Sequence, residues 1–189
     1  MKTRRVHRNR SYNRDSSNAK TRKWMTHNRA LLTAYLWFGA TLLGLFTVLM
    51  LSSTYHGVVM PFNNFLAWST AGVLTLLGGG PLTVNGTSVS GTTFGFSVAE
   101  GCNGIYALVI VIAGVMALPI RWSRKVVGLI LAAVYIMALN YIRLLTLWYF
   151  GQTSPLLFDT MHLYVWEFII IALGAAFCYW WYEKSARSR

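Results

Sequence analysis

Three side chains that could together carry out nucleophilic catalysis stand far apart in the sequence, each within or next to an apolar segment: Cys102, Arg143 and His162. Cys102 lies in the stretch VAEGCNGIY, residues 98–106, just before a long apolar run. A thiolate is a strong nucleophile, and the unpaired N–H groups and the dipole at a helix N-terminus lower the pKa of a nearby thiol. The position therefore predicts a reactive Cys102 with a lowered pKa, while the alternative is a small packing residue. A purely apolar surrounding would raise the thiol pKa instead.

The residues around this thiol differ in character from those around the second cysteine. Glu100 and Asn103 flank Cys102 and are expected to support it, and Gly101 permits another backbone to approach closely. Cys178 is interpreted as a packing residue only. It lies about 24 Å deeper along the last apolar segment at 1.5 Å per residue, which is too far from Cys102 for a disulfide.

Arg143 is the most unusual residue of the apolar segment Val126 to Phe150. A guanidinium in such a segment is costly unless it snorkels or faces a polar interior, so both an interfacial anchor and a functional residue remain open. Asn140 lies three residues earlier, on the same side of a helix, and is expected to hold Arg143 or a substrate carbonyl. Trp148 to Phe150 are interpreted as an aromatic belt.

His162 opens the last apolar segment and has two carboxylates close to it in sequence. Asp159, three residues earlier, is expected to cap the start of that helix or to orient the imidazole. Glu167 is expected about 7.5 Å deeper in the same helix, as a buried carboxylate that balances the charge of Arg143. His162 alone is also compatible with an ordinary surface residue.

The elements that must position these groups are membrane helices. The chain of 189 residues is 55% hydrophobic and 12% charged, with a net charge of +12, and a crossing helix needs about 20 apolar residues. Four segments meet that requirement, and a weaker one precedes the cysteine. The four are Ala30 to Ser52, Asn103 to Ile120, Val126 to Phe150 and His162 to Tyr182, and the weaker one is Phe62 to Gly78.

The basic residues predict the orientation of these segments, because positively charged loops stay in the cytoplasm. Basic residues dominate three regions: a tail at 1–29 predicted to be mobile and cytoplasmic, the loop 121–125, and a basic C-terminus at 183–189. Placing all three on the cytoplasmic side of the inner membrane makes residues 62–78 an interfacial or re-entrant helix and puts Cys102, Arg143 and His162 at the outer face. The predicted membrane-embedded domain covers residues 30–182.

A small β-hairpin is predicted within residues 82–98, on the outer side. Asn85-Gly86 between β-prone residues is a strong hairpin signal, although Asn85-Gly-Thr also fits a glycosylation acceptor. Phe94, Phe96 and Val98 alternate with small residues, as in a strand with one buried face. The predicted fold class is therefore an all-α integral membrane bundle, with about four full spans, one interfacial or re-entrant helix and an outer hairpin.

Three motifs together resemble the exosortase and archaeosortase family of membrane cysteine transpeptidases. They are AEGCNGI around Cys102, LNYIRLL with Asn140 and Arg143, and DTMHLY with His162. The resemblance extends over roughly residues 30–182, and the chain is similar to a small member confined to the family core. Many members have Ser where this chain has Asn103.

This resemblance implies an enzyme that cleaves a C-terminal sorting signal and transfers the product to a cell-surface acceptor. It implies Cys102 as the nucleophile of a thioacyl intermediate, Arg143 as the oxyanion stabiliser and His162 as the general acid and base, with no metal or organic cofactor. The implied partners are secreted proteins that end in a short motif, a transmembrane helix and a basic end.

Two other classes stay open from the residues themselves. One is a small transporter or channel whose polar path includes Arg143 and Glu167, although no inverted repeat is visible. The other is a non-catalytic membrane adaptor whose basic tail binds acidic lipids. That tail lacks the features of specific nucleic-acid readers, so no specific nucleic acid is expected as a partner. The oligomeric state is not predicted.

Overall fold

The computed structural model describes residues 28–99 and 101–187, so the tail 1–27, Glu100 and residues 188–189 lie outside the described part. Helix α1 is Arg29–Met50. Helix α2, residues 52–76, joins a short turn Ser52–Thr54, a π-helical turn Tyr55–Val59 and the long part Met60–Leu76. Helix α3 is Ile105–Ala117 and α4 is Trp122–Thr153. Helix α5, Pro155–Ala186, contains a π-helical turn at Met161–Val165.

Prolines explain two helix boundaries. Helix α3 ends at Ala117 because Leu118 is extended, at ψ 136°, ahead of Pro119, and the residue before a proline disfavours helical geometry. Helix α4 ends in the same way at Thr153, because Ser154 is extended ahead of Pro155. Pro155 then occupies the first turn of α5, where its missing N–H is not needed.

Three of the described helices are long and apolar enough to cross a membrane: α1 from Leu31, α4 and α5. Helix α3 has 13 residues, which is about 20 Å at 1.5 Å per residue and shorter than a hydrocarbon core of about 30 Å. The predicted third span, Asn103 to Ile120, is therefore shorter in the structure than a full crossing. The last span was predicted to begin at His162, whereas α5 begins seven residues earlier, at Pro155.

The hairpin signal at Asn85-Gly86 corresponds to a turn between two strands, and a third strand extends the sheet. Strands β1 (Thr83–Asn85), β2 (Ser88–Ser90) and β3 (Gly95–Ser97) form an antiparallel sheet in the order β1-β2-β3. Gly86 supplies the positive φ of the first turn, at 59°. Val89 and Val98 are fully buried on one face, as the alternation of residues 94–98 predicted.

The helices pack around α3, which contacts α1, α4 and α5, while α2 packs against the sheet and α4. The buried residues form two clusters. The site-side cluster joins α2, the sheet, the turn at Cys102 and α4, and its members are Leu66, Ala67, Ala71, Leu74, Val89, Val98, Cys102, Leu144 and Trp148. The distal cluster joins α3, α4 and α5, and its members are Val111, Val115, Ala132, Ile136, Phe177 and Trp181.

Trp148 shows how the sheet is attached to α4. Its side chain is 1% exposed and packs against Phe94 and Phe96, with ring centroids 5.7 and 6.1 Å away. The aromatic-belt interpretation is therefore wrong for Trp148, although Tyr149 is exposed. Gly151 adds to this contact, because a Cβ there would lie 2.2 Å from the Phe94 ring.

Candidate active site

Cys102 lies in an irregular turn that connects the sheet to α3. Its N–H donates to the carbonyl of Ala99 at 3.0 Å. Gly101 and Gly104 adopt φ values of 87° and 75° on either side of it, in a region of backbone space that favours glycine. Since α3 begins at Ile105, Cys102 precedes the helix and does not belong to its first turn.

Burial determines the protonation of this thiol. Cys102 is 7% exposed within the site-side cluster. Burial raises its pKa above the ordinary value, against the lowering effects of the Arg143 charge and of a backbone hydrogen bond at Ala99, and the Glu167 charge raises it further. The predicted lowering of the pKa by a helix N-terminus is therefore wrong, because loss of hydration dominates and the helix starts too late.

Arg143 connects the three segments that form the site. Its guanidinium, 3% exposed, projects from α4. Nη1 donates to the carbonyl of Gly101 at 3.1 Å, and Nη2 lies 3.1 Å from His162 Nδ1 and 3.3 Å from the carbonyl oxygen of His162. Arg143 therefore binds the turn that carries the thiol and the helix that carries the imidazole.

His162 lies directly against the thiol. Its Nε2 is 3.3 Å and its Nδ1 3.6 Å from Cys102 Sγ. The ring stacks on Phe158, one turn earlier in α5, with centroids 5.6 Å apart and planes 23° apart. His162 belongs to the π-helical turn Met161–Val165, a local widening that often occurs at functional sites.

The two acceptors available to Arg143 allow both tautomers of His162. A guanidinium only donates, so when it bonds to Nδ1 the ring proton is on Nε2 and points at Sγ. With the ring proton on Nδ1, Nε2 can accept the thiol proton; Arg143 Nη2 then bonds only to the carbonyl oxygen of His162, 3.3 Å away, and must move away from Nδ1, because both of those nitrogens are donors. The same nitrogen can therefore take a proton from Cys102 and later donate one.

Asn103 and Asn140 lie beside the site but not in its hydrogen-bond network. Asn103, 2% exposed, accepts from the Ile105 N–H at 3.0 Å and donates to Asn63 Oδ1 at 3.0 Å. Asn140 is fully buried, and neither of its amide atoms has a hydrogen-bond partner among the described residues. The expectation that Asn140 holds Arg143 is therefore wrong, because no hydrogen bond joins them.

The structure changes the expectations for the acidic residues. Glu167 does pair with Arg143, at 3.7 Å from Nη1, but its side chain is 57% exposed and not buried. Asp159 is exposed and lies inside α5, four residues after Pro155, so it does not cap the helix start. Glu100 lies outside the described residues.

Two residues that contact the predicted site were missed from the sequence. Asn63 in α2 is 2% exposed and holds Asn103, and Phe158 in α5 stacks on His162. An asparagine in the weakly apolar segment 62–78 was a signal for Asn63, whereas nothing distinguished Phe158 from the other aromatic residues.

A cavity of about 250 Å³ adjoins the start of α3. It lies between the end of α1, the first turns of α2 and residues 103–106, which immediately follow Cys102. Its lining residues are Leu49, Met50, Ser52, Tyr55, Val59, Asn103, Ile105 and Tyr106. Among the described residues, no group of three or more His, Cys, Asp or Glu side chains could hold a metal ion.

The fold and the cluster together define a helical membrane protein in which a thiol, an imidazole and a guanidinium meet in one buried layer. Comparison with protein families identifies the family within this class. The model of the transmembrane exosortases matches residues 24–180, most of the chain, and the protein belongs to that family. Membership implies a cysteine-dependent membrane transpeptidase. Comparisons with curated proteins and with solved structures gave no match.

Proposed function

We propose that this protein cleaves a C-terminal sorting signal of secreted proteins through a thioacyl intermediate on Cys102 and transfers the product to a cell-surface acceptor. The observation that carries the proposal is the contact between Cys102 Sγ and His162 Nε2 at 3.3 Å. Cys102 and His162 are 60 residues apart in sequence, and Arg143 bonds to the segments that carry both. Family membership favours this function over the transporter and adaptor alternatives.

The first half of the reaction transfers the acyl group to the thiol. His162 Nε2 takes the thiol proton as Sγ attacks the scissile carbonyl, a C–S bond forms, and the π electron pair moves onto the carbonyl oxygen. The guanidinium of Arg143 stabilises this oxyanion. The electron pair on the oxyanion then re-forms the C=O bond, the C–N bond breaks, and the proton on Nε2 passes to the leaving amine.

The second half releases the enzyme. Nε2 takes a proton from the acceptor nucleophile as it attacks the thioacyl carbon, and the thiolate leaves and recovers that proton. Because burial keeps the resting thiol neutral, Cys102 depends on direct contact with His162 for activation.

The arrangement of the helices supports a position at the outer face of the inner membrane. With residues 121–125 and both termini in the cytoplasm, α4 rises from Trp122 to Arg143 over about 31 Å, close to the thickness of a hydrocarbon core. Helix α3, shorter than a full span, then places Cys102 near the same level. A substrate whose transmembrane helix lies beside the bundle would present its motif at that level.

The test uses reporter proteins that end in a short motif, an apolar helix and a basic end. Each reporter is incubated with the detergent-solubilised protein, and adducts are identified by intact-protein and peptide mass spectrometry. A thioacyl adduct on Cys102 is expected in the parent and in Cys178→Ala, the matched control that leaves Cys102 as the single thiol. Cys102→Ala should form none. A confirmed substrate that Cys102→Ala still processes would disprove the nucleophile.

A further inference from the structure

Two polar groups on one face of α4 are buried without partners. Asn140 is 0% exposed, and neither Nδ2 nor Oδ1 has a hydrogen-bond partner in the described part of the chain. The Nε of Arg143 is also buried without a hydrogen-bond partner, whereas Nη1 bonds to Gly101 and Nη2 to His162. Buried polar groups without partners lower stability, so such groups in a native protein call for an explanation.

Both groups lie against the turn that carries the nucleophile. A Cβ at Gly104 would lie 2.8 Å from Asn140 Cγ, so the amide packs directly on the backbone at position 104. Arg143, three residues later on the same side of α4, bonds to the carbonyl of Gly101. Cys102 therefore lies between two residues that are each contacted by one of these side chains.

The unpaired donors are what an oxyanion requires. Donors stabilise a developing negative charge best when they are fixed and shielded from water before the reaction. The two Nη atoms of Arg143 carry four N–H groups, which face the Gly101 carbonyl, the Glu167 carboxylate, and the Nδ1 and carbonyl oxygen of His162. The donors left for a substrate are therefore Arg143 Nε–H and the Nδ2–H groups of Asn140. They lie three residues apart on one rigid helix.

We propose that Asn140 Nδ2–H and Arg143 Nε–H form the donor pair that binds the oxygen of the scissile carbonyl. As the C–S bond forms and the thiol proton moves to His162 Nε2, the π pair moves onto this oxygen, which accepts from both donors. The pair returns when the C–N bond breaks and the proton passes to the amine. This inference rests on the proposed function and assigns a catalytic contact to Asn140 and a specific atom to Arg143.

The test compares two reactions of the same thiol in Cys178→Ala protein. Acetylation by p-nitrophenyl acetate passes through an oxyanion, whereas alkylation by iodoacetamide does not. In Asn140→Leu, which removes the amide at similar volume, acetylation of Cys102 should slow by about 10²-fold to 10³-fold. Alkylation should stay within about twofold of the parent, and the protein should be at least as stable, because two unpaired polar atoms are gone.

Thr70→Val is the matched control, because Thr70 is 0% exposed and its hydroxyl is also without a partner among the described residues. It should leave both rates unchanged. Equal acetylation in Asn140→Leu and the parent would overturn the inference alone, and an equal fall of both rates would make Asn140 a structural residue. A parent that is alkylated but never acetylated would overturn the proposed nucleophile together with the donor pair.

Discussion

The chemistry of each site residue depends on its neighbours more than on its own type. Cys102 is shielded from water, touches His162 at 3.3 Å and lies beside a turn that is held by Arg143. Loss of hydration opposes the thiolate and the guanidinium favours it, and the first effect is larger. A sequence position alone could not predict this balance, because the depth of burial results from the packing of α2, the sheet and α4 around the turn.

The raised pKa predicts the pH dependence of alkylation at Cys102 in Cys178→Ala protein. The thiolate is the reactive form, so the rate with iodoacetamide should increase about tenfold per pH unit up to the thiol pKa. Arg143→Gln should move the profile to higher pH, because a charge that lowers the pKa is lost. A rate that levels off below about pH 8.5 would contradict the assignment.

Glu167 should contribute little to the reaction despite its ion pair with Arg143. The carboxylate is 57% exposed, and an exposed pair is worth about 1 kcal/mol or less. Glu167→Gln should therefore slow acetylation of Cys102 by less than about fivefold. Stopped-flow or quenched-flow mass spectrometry would measure this, with Arg143→Gln as the comparison that should lose far more. A loss in Glu167→Gln as large as that in Arg143→Gln would show that the carboxylate is essential.

At the scale of the elements, a turn with two glycines positions Cys102. Gly101 and Gly104 both have positive φ, but their surroundings differ. A Cβ at Gly101 would meet nothing within 4 Å, whereas one at Gly104 would lie 2.8 to 3.1 Å from the Asn140 side chain. Backbone strain acts at both positions, and steric conflict acts only at the second.

This difference predicts the outcome of a matched pair of variants. Gly101→Ala should lower the free energy of unfolding by about 1 kcal/mol or slightly more, from strain alone. Gly104→Ala should lower the free energy of unfolding by more than Gly101→Ala does. It should also slow acetylation of Cys102, because the Asn140 side chain must move. Thermal unfolding in detergent and the acetylation rate provide the two readouts. Equal losses of stability and of acetylation rate in the two variants would show that the contact between position 104 and Asn140 contributes to neither.

A buried hydrogen bond joins α2 to the start of α3. Asn63 and Asn103 are each 2% exposed and 3.0 Å apart. Asn63→Leu should lower the free energy of unfolding by about 1 to 3 kcal/mol, because the Nδ2 donor of Asn103 is left without its partner. Asn103→Leu should cost more, since it also loses the bond to the Ile105 N–H. In a double-mutant cycle the combined loss should be smaller than the sum, by about 0.5 kcal/mol or more, and strict additivity would show that the bond carries no coupling.

Local signals predicted most of the elements, and the errors lie where packing decides. Asn85-Gly86 identified the first hairpin turn, and apolar length identified α1, α4 and α5. The apolar run places the start of the last span at His162, whereas α5 begins at Pro155, seven residues earlier. Cys102, Arg143 and His162 were predicted to share a layer and do so, but the partners Asn63 and Phe158 depend on helix rotations that no short motif specifies.

At the scale of the whole molecule, the loop that contains Arg121 lies at the start of α4, and the site lies toward the other end of that helix. The loop before Trp122 contains Arg121, and the site residue Arg143 lies about 31 Å further along the helix. Beyond Arg143, α4 continues to Thr153, about 15 Å more, and this extension carries the sheet through Trp148 and Gly151. The sheet is therefore expected in the outer interface, above the reacting layer.

Single-cysteine variants test this orientation in intact cells. In protein that lacks Cys102 and Cys178, Thr92→Cys in the exposed turn between β2 and β3 should react with a membrane-impermeant maleimide added outside. Ser123→Cys, exposed in the first turn of α4, should react only after permeabilisation, because a positively charged loop is expected on the cytoplasmic side. The reverse labelling pattern would show that the protein has the opposite orientation. Cys102 would then lie on the cytoplasmic side, where it could not process a secreted substrate after export.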